Sequence, residues 1–588
     1  MRAASRFFGI VSASVAFVLT LTGCNASHNM GGGGGGGGNP QPQQFQISVA
    51  LAGGGQGTVT SNPAGISCGA TCSASFNSGT SLTLTATPSG GSSFGGWSGA
   101  CSGTADCSIS LTQAASVTAT FNAPSIKSIN HIVILAQENR AFDHYFGALR
   151  EYWAQNGYPD QAFNGLPQFN IPAGTPPTNP GCDPTAPPPA NCVASASSPP
   201  VTSYHLLTQC IENPSPSWNE SHVDWNLSDP VSATATLDGF VQTAANNARR
   251  QNPMYNDVNG ARAMGYYDGN ELNYYYFMAS NFATSDNWFS PVMSRTDPNR
   301  MYLIAGTSQG HVYPLNQSNS PKLPAKTIFE ELQQAGISWK IYVDPTGTGC
   351  NSTDSKCLAK FSSLQNFTYI STVLSQFPQN IAPISDYLTA AQNGTLPQVS
   401  LIEPGFAAGT DEHPTVNDLF PTRIQLGAKY VSSLINAMMG TPSNPSPSWK
   451  DSVFILTYDE GGGLYDHIAP QPTVSPDGIK PSDLILNPPD ICTTTTGPNC
   501  DFTYTGYRVP LIVVSPFTRK NFVSHTFSDF TAILKLIETR FGVQALTNRD
   551  AQQMDMTEFF DFANVPWATP PAPPTQATNA PCYLNTLP

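Results

Sequence analysis

Ser452-Val453-Phe454-Ile455-Leu456-Thr457 runs straight into Tyr458-Asp459-Glu460-Gly461-Gly462-Gly463. The apolar run reads as a buried strand. Two adjacent carboxylates therefore sit where that strand stops, and the glycines let the backbone pass close to whatever they hold. In an α/β sheet the carboxyl ends of the strands are where ligands bind. A second strand, His131-Ile132-Val133-Ile134-Leu135-Ala136, ends the same way in Gln137-Glu138-Asn139-Arg140. Acidic and amide oxygens converging from two strand ends form the donor set that a hard divalent cation takes. The pattern predicts a metal site, and with it an enzyme.

From about residue 126 strands and helices alternate, which predicts an α/β fold with a mostly parallel sheet flanked by helices. Further strand candidates are Ser338-Trp339-Lys340-Ile341-Tyr342-Val343, Val399-Ser400-Leu401-Ile402 and Val509-Pro510-Leu511-Ile512-Val513-Val514. The clearest helix is expected from Ser528 to Phe541, with Phe530, Ile533, Leu534, Ile537 and Phe541 on one face and Gly542 as its stop. Residues 154–200 are rich in Pro, Asn and Ser and read as a long loop insertion.

At 588 residues the chain is too long for one core, so two folded domains plus linkers are expected. Only 11% of residues are charged, and 52 Pro and 49 Gly point to a loop-rich globular protein. A formal net charge of −14, with no basic run, excludes non-specific nucleic-acid binding. Arg2 and Arg6 precede an apolar run from Phe7 to Leu21 that ends in Leu21-Thr22-Gly23-Cys24. This is the layout of a signal peptide, and the run is short for a membrane span. Its last four residues resemble the bacterial lipobox, in which the Cys is lipidated and becomes the mature N-terminus. Residues 1–24 are accordingly expected to be a lipoprotein leader, with the mature protein held by a lipid anchor at the cell envelope. Residues 25–44 contain Gly31 to Gly38 without interruption and read as a flexible tether.

Of the 13 Cys, setting Cys24 aside leaves an even twelve, as expected of an oxidised exported protein. Cys68 with Cys72, Cys101 with Cys107, Cys350 with Cys357 and Cys492 with Cys500 are close enough in sequence to form local bridges. The pairing of Cys182, Cys192, Cys210 and Cys582 is not legible. These Cys pairs lie in Ser/Thr/Gly loops without nearby His, which favours disulfides over zinc. Residues 45–122 alternate apolar and polar positions between Gly/Pro/Ser turns, as in Thr58-Val59-Thr60, Ser81-Leu82-Thr83-Leu84-Thr85-Ala86 and Ser116-Val117-Thr118-Ala119-Thr120-Phe121. That pattern predicts a small all-β module. With Phe94-Gly95-Gly96-Trp97 and its two Cys pairs, the module resembles bacterial surface repeats related to the listeria internalin B-repeat. It holds no His and one acidic residue, Asp106, so a spacer or cell-wall contact is expected there rather than chemistry.

A hydroxyl nucleophile would complete the site, and Ser294-Arg295-Thr296-Asp297-Pro298-Asn299-Arg300 offers one. Thr296 is placed to cap a helix that continues through Met301-Tyr302-Leu303-Ile304-Ala305 to Gly306. A helix N-terminus also favours a phosphate. Thr296 is therefore either a plain cap or a nucleophile toward phosphorus.

Five motifs occur in order: the 137–147 stretch Gln137-Glu138-Asn139-Arg140-Ala141-Phe142-Asp143-His144-Tyr145-Phe146-Gly147, then Thr296-Asp297-Pro298-Asn299-Arg300, Asp411-Glu412-His413-Pro414, Thr457-Tyr458-Asp459-Glu460-Gly461-Gly462 and Gly506-Tyr507-Arg508-Val509-Pro510. Together they resemble the bacterial phosphoesterase family that holds non-haemolytic-type phospholipases C and a group of acid phosphatases. The likeness covers roughly residues 126–545, and the catalytic domain is expected over 126–588. It implies an alkaline-phosphatase-like core, a bound divalent metal and a covalent phospho-enzyme. Carried over, Glu138, Asn139, Asp459 and Glu460 would be metal ligands, and Thr296 both a ligand and the nucleophile. Arg300 would hold the helix start or the phosphate, and His413 and His467 would bind phosphate or act as acid/base groups. The metal would be Mg, Mn, Ca or Zn.

Asp143 and His144 are open between pairing with each other and direct chemistry, and His222 in Trp218-Asn219-Glu220-Ser221-His222 is intermediate. His205, His311 and His525 are left outside the site. The chain departs from the family in having Asp529-Phe530 where Asp-His is usual, and Ser217 where a His is expected. The expected substrate is a phosphate ester: a phospholipid, or in the alternative a small phosphomonoester. Tyr274-Tyr275-Tyr276-Phe277, Trp288-Phe289 and Phe406 are either an apolar mouth for acyl chains or core. An inactive surface adhesin is the rival class, and the survival of the whole ligand and nucleophile set argues against it.

Overall fold

The computed structural model describes residues 42–90, 92–315, 320–415 and 421–587. The leader, Cys24 and nearly all of the glycine tether lie outside the described residues.

Ser452–Tyr458 forms a strand buried along its whole length. It lies parallel to His131–Gln137, with Tyr458 opposite Gln137. Both strands therefore end at one level, and Glu138-Asn139 and Asp459-Glu460 leave the sheet side by side. These two strands occupy the middle of an eight-stranded sheet. Its spatial order is Ile381–Pro383, Trp339–Val343, Val399–Ile402, His131–Gln137, Ser452–Tyr458, Ile512–Val514, Ala283–Ser285 and Phe522–Ser524. Ile512–Val514 runs against both of its neighbours, and every other strand runs the same way. A mostly parallel sheet needs both faces covered, and its strands are accordingly Val/Ile/Leu-rich without alternation. Helices Ile384–Asn393 and Ile424–Met439 pack on each other as part of that cover.

Two expected elements begin later than their sequence suggests. The Val509–Val514 run enters the sheet only at Ile512, because the Val509 N–H donates to the Trp288 carbonyl instead. The helix expected from Ser528 starts at Ala532. Ser528–Asp529 pairs as a short strand with Trp288–Phe289, and the Asp529 carboxylate accepts the Thr531 N–H at 2.8 Å and Arg549 at 2.9 Å. An acid that bonds the backbone two residues on competes with helix and favours a turn.

The N-terminal module is two four-stranded sheets around a core of its own, which includes Ile47, Val59, Leu82, Leu84, Trp97, Val117 and Phe121. All four expected local disulfides form, and Cys182–Cys192 and Cys210–Cys582 complete the set. The last of these ties the C-terminal segment to the catalytic core across 372 residues of chain. No helix among the described residues is long and apolar enough to cross a membrane.

Because the module packs its own core, a chain beginning at Ser125 should keep its turnover of a soluble phosphate ester to within about twofold. Comparing rates and melting curves of the shortened and full chains tests this. A folded but inactive product would show that the module builds part of the site.

Candidate active site

Asn139 and Asp459 lock the two strand ends together. The Asn139 N–H donates to Asp459 Oδ1 at 2.9 Å, and the Glu460 N–H donates to the same oxygen at 2.8 Å. Asn139 adopts a φ of 56°, a left-handed conformation that costs free energy in a non-glycine residue and recurs at functional sites. Gly462 explains one glycine of the motif: at φ +73° a Cβ would lie 2.4 Å from the Asn139 carbonyl oxygen. The chain passes there only without a side chain.

Thr296 opens a helix that runs to Ala305, and its hydroxyl makes no capping bond. Arg295 takes the cap position, so capping does not account for the threonine. The Oγ1 instead lies 3.0 Å from Glu138 Oε2 and 3.4 Å from Asn139 Oδ1. Arg300, one turn further along, donates to Glu138 Oε1 through Nε at 3.0 Å and Nη2 at 2.6 Å. It also bonds the Ala136 carbonyl and lies 3.5 Å from Asp459 and 3.8 Å from Glu403. Its guanidinium sits over the Phe406 ring and is buried. Arg300 thus has the geometry of a group that orients carboxylates.

Burial is the main force on the charges here. It lifts Glu138 above the usual carboxylate range. It lifts Asp459 to about 7, with the neighbouring Glu138 adding to the effect. Glu460 is raised well above its ordinary value by burial and by Asp459. Asp459 Oδ2 and Glu460 Oε1 are buried without a hydrogen-bond partner. Asp459 Oδ2 has Arg300 Nε at 3.5 Å as its charge partner, while Glu460 Oε1 has no hydrogen-bond partner. Buried polar atoms are normally paired, so this site can take up further positive charge. Glu138, Asn139, Thr296, Asp459 and Glu460 all offer oxygen, which suits a hard divalent cation.

Two acids in this region were missed as site residues. Glu403 follows the strand Val399–Ile402, is fully buried and accepts two bonds from Ser363. It obeys the same rule of an acid at a strand end that picked out Glu138 and Asp459, so the signal was present. Asp411 is pushed up to about 7 by burial, and its carbonyl accepts the Glu138 N–H.

His413 is set by its neighbour. Glu412 is buried and accepts hydroxyl bonds from Tyr145 at 2.7 Å, Tyr275 at 2.5 Å and Tyr458 at 2.9 Å. Arg140 donates to its carbonyl. So anchored, Glu412 fixes the loop that presents His413, whose Nδ1 bonds the Pro414 carbonyl at 2.5 Å. Burial holds the His413 imidazole below its ordinary pKa, and the Asp459 charge acts on it. A neutral ring that donates through Nδ1 keeps Nε2 as a base.

His467 lies in a different cluster. Its Nδ1 meets Asp143 Oδ2 at 2.6 Å and its Nε2 meets Asn164 at 3.0 Å. Arg508 joins Asp143 and Asp466 and also bonds the Asn164 and Asp286 carbonyls. Removing one partner from such a buried set leaves an uncompensated charge, typically costing about 3–5 kcal/mol. No bond links His467 to Thr296 or to the acidic pair among the described residues. Asp143 and His144 do not pair: His144 bonds the Gly265 carbonyl and Arg140. His222 is inside the protein, with both ring nitrogens on backbone carbonyls. Ser217, where the resemblance led to the expectation of a His, accepts a bond from Arg295, the residue before the nucleophile candidate. Tyr274, Tyr275, Tyr276, Trp288 and Phe289 are core, whereas Phe277 and Phe406 are partly exposed, Phe406 lying under the Arg300 guanidinium.

The central strand ends of this α/β sheet bring Glu138-Asn139 beside Asp459-Glu460 and set the Thr296 hydroxyl on Glu138, an arrangement suited to hydrolysis of an oxyacid ester. The chain belongs to the Phosphoesterase family, which matches residues 129–544, and it is a hydrolase acting on phosphate esters. Residues 47–125 match the divergent InlB B-repeat domain. Phospholipase C B of Mycobacterium tuberculosis is 30% identical over 478 residues, covering 79% of this chain and 82% of that protein. The non-hemolytic phospholipase C of Burkholderia pseudomallei is 28% identical, covering 79% of this chain and 63% of that one. The hemolytic phospholipase C of Pseudomonas aeruginosa is 26% identical, covering 77% and 58%.

Proposed function

We propose that this chain is an exported, lipid-anchored and metal-dependent phosphoesterase of phospholipase C type that works through phosphorylated Thr296. The observation that carries the reading is the Thr296 hydroxyl 3.0 Å from Glu138 and 3.4 Å from Asn139, whose N–H bonds Asp459. Glu138, Asn139, Thr296, Asp459 and Glu460 would hold the cation, with Mg, Mn or Ca suited to the oxygen set and Zn also able to bind. When bound, it supplies positive charge to the phosphoryl oxygens and to the attacking hydroxyl.

Glu138 Oε2 takes the Thr296 proton as Oγ1 attacks phosphorus and the ester P–O bond breaks. The departing alkoxide takes that proton from Glu138 and leaves as the alcohol. Water then attacks the phosphothreonine, its proton passing to His413 Nε2 and on to Oγ1 as the Oγ1–P bond breaks and returns Thr296. The sum is ester plus water giving alcohol plus phosphate monoester. His467, held by Asp143 and Asn164, would serve as an acid/base or phosphate-binding group from the adjoining cluster. Arg300 keeps Glu138 and Asp459 in place.

A second reading, an acid phosphatase for small monoesters, is favoured by one observation: most of the aromatic residues that could have formed an acyl-chain mouth, Tyr274, Tyr275, Tyr276, Trp288 and Phe289, are core. Parallel assays of the purified chain on phosphatidylcholine vesicles and on p-nitrophenyl phosphate separate the two. Release of phosphocholine at a kcat/KM at least about tenfold above that for the monoester is the expected result. Turnover of the monoester alone would replace this reading with the second. Beyond the enzyme, the β module would serve as a spacer or cell-wall contact, and Cys24 as the anchor at the envelope.

A further inference from the structure

Large aliphatic side chains are exposed at few places, and three of them fall in one loop: Ile479 at 40%, Ile485 at 49% and Leu486 at 79%. The projecting tip is Ile485-Leu486-Asn487-Pro488-Pro489, all exposed. Nothing between Leu484 and Pro489 carries a charge, and the exposed Lys480 stands earlier in the same loop.

The loop is held stiffly. Asp483 turns inward to accept the Val312 N–H at 2.9 Å, the Tyr313 N–H at 3.3 Å and a bond from His311 at 3.1 Å. Asp490 accepts the Ile485 N–H at 2.6 Å, Asn219 at 2.8 Å and the Tyr313 hydroxyl at 3.0 Å. Ile479 and Ser482 pack over Gly310, and Leu484 packs on the main core. A disordered surface loop would have no reason to anchor its acids inward and send its aliphatic residues out.

Those anchors connect the tip to the active site. Ser294, two residues before Thr296, donates its hydroxyl to the Val312 carbonyl at 2.5 Å. Asp490 also bonds Asn219, in the helix that follows Ser217, the acceptor for Arg295. The Arg295 charge acts on Tyr313, the residue bonded to Asp490. The loop that carries the apolar tip is thus bonded to Val312, and through it to Ser294 in the nucleophile's own segment.

We propose that residues 477–490 form a lipid-seating loop, in which Ile485 and Leu486 enter the surface of a zwitterionic phospholipid layer and bring the site to the headgroups. The proposal rests on the phospholipase reading. Lipid fits better than a protein partner because a stable protein interface takes about 20–30 residues a side, far more than this tip offers. A chain of net charge −14 gains nothing from an anionic surface, so the layer is one of neutral headgroups. Aliphatic side chains need only to leave water, and a bilayer surface asks for no shape complementarity.

The test uses the chain from Asn25 onward, which lacks both the apolar leader and the acylated Cys24, with phosphatidylcholine vesicles as the probe. Ile485→Ser with Leu486→Ser should weaken cosedimentation about tenfold or more, and lower vesicle hydrolysis in step. Turnover of soluble p-nitrophenylphosphorylcholine and the melting curve should stay unchanged. Ile171→Ser, which alters an equally exposed aliphatic elsewhere, should bind vesicles normally. The proposal is overturned if the parent chain does not bind vesicles, if the double variant binds like the parent, or if Ile171→Ser loses as much. Vesicle binding that depends on the loop, without hydrolysis by the parent, would instead sink the phospholipase reading and leave the seat standing.

Discussion

Thr296→Ala should lower turnover of any accepted phosphate ester by about a thousandfold or more, because loss of the nucleophile removes the covalent route altogether. The fold should barely notice. The hydroxyl is half-buried and makes no helix cap, so its removal costs one hydrogen bond, about 1 kcal/mol. Alanine at the first helical position is also an excellent helix former. The melting temperature is expected to move by only a few degrees for a chain of this size. Thr296→Ser supplies the control, since it keeps an oxygen 3.0 Å from Glu138 and should keep measurable activity. A Thr296→Ala protein with more than about a tenth of parental turnover would remove the residue from the mechanism, and a strongly lowered melting point would show that its role is structural.

The site was legible where chemistry follows a local rule. An apolar run that stops at an acid marks both a strand and its carboxyl end, and this alone located Glu138 and Asp459. The parallel register that puts Tyr458 opposite Gln137 then made the two ends one site. Glu403 obeyed the same rule and was passed over. What the sequence hid was the partner of each polar side chain. Thr296 reads as a cap in one dimension, and only the approach of Glu138 from 158 residues away shows where its hydroxyl goes. His467 reads as a site histidine by its motif, yet Asp143 and Asn164 hold its ring elsewhere. The tyrosines at 274–276 offered two readings of equal weight, because an aromatic cluster has the same composition in a mouth and in a core. The bonding of Tyr275 to Glu412 decided it. Helix starts were off by a few residues where a side chain captured the backbone, as Asp529 does before Ala532.

Asp459→Asn should lower bound divalent metal about tenfold or more and turnover by at least about a hundredfold. Asparagine keeps the acceptor that holds the Asn139 and Glu460 N–H groups, so the strand ends stay joined. It replaces Oδ2, which lies 3.5 Å from Arg300, with an amide donor and removes the negative charge beside Glu460. Elemental analysis of purified parent and variant reads the first effect directly, and equal metal content would show that Asp459 is not a ligand. A second readout needs no metal and no substrate. With the protein stripped by a chelator, Asp459 titrates near 7 in the folded state and near its ordinary 3.8 when unfolded. Between those values the folded state binds more protons than the unfolded one, so stability falls as pH rises. Glu138 and Glu460 are raised in the same direction and steepen the fall. The stripped parent should therefore melt at progressively lower temperature from about pH 4 to pH 7. Asp459→Asn should melt along a shallower line, and addition of the cation should flatten the parent's slope while leaving the variant's unchanged. Identical slopes for the two stripped proteins would mean that Asp459 does not sit in the desolvated, charge-starved environment from which its role as a ligand is argued.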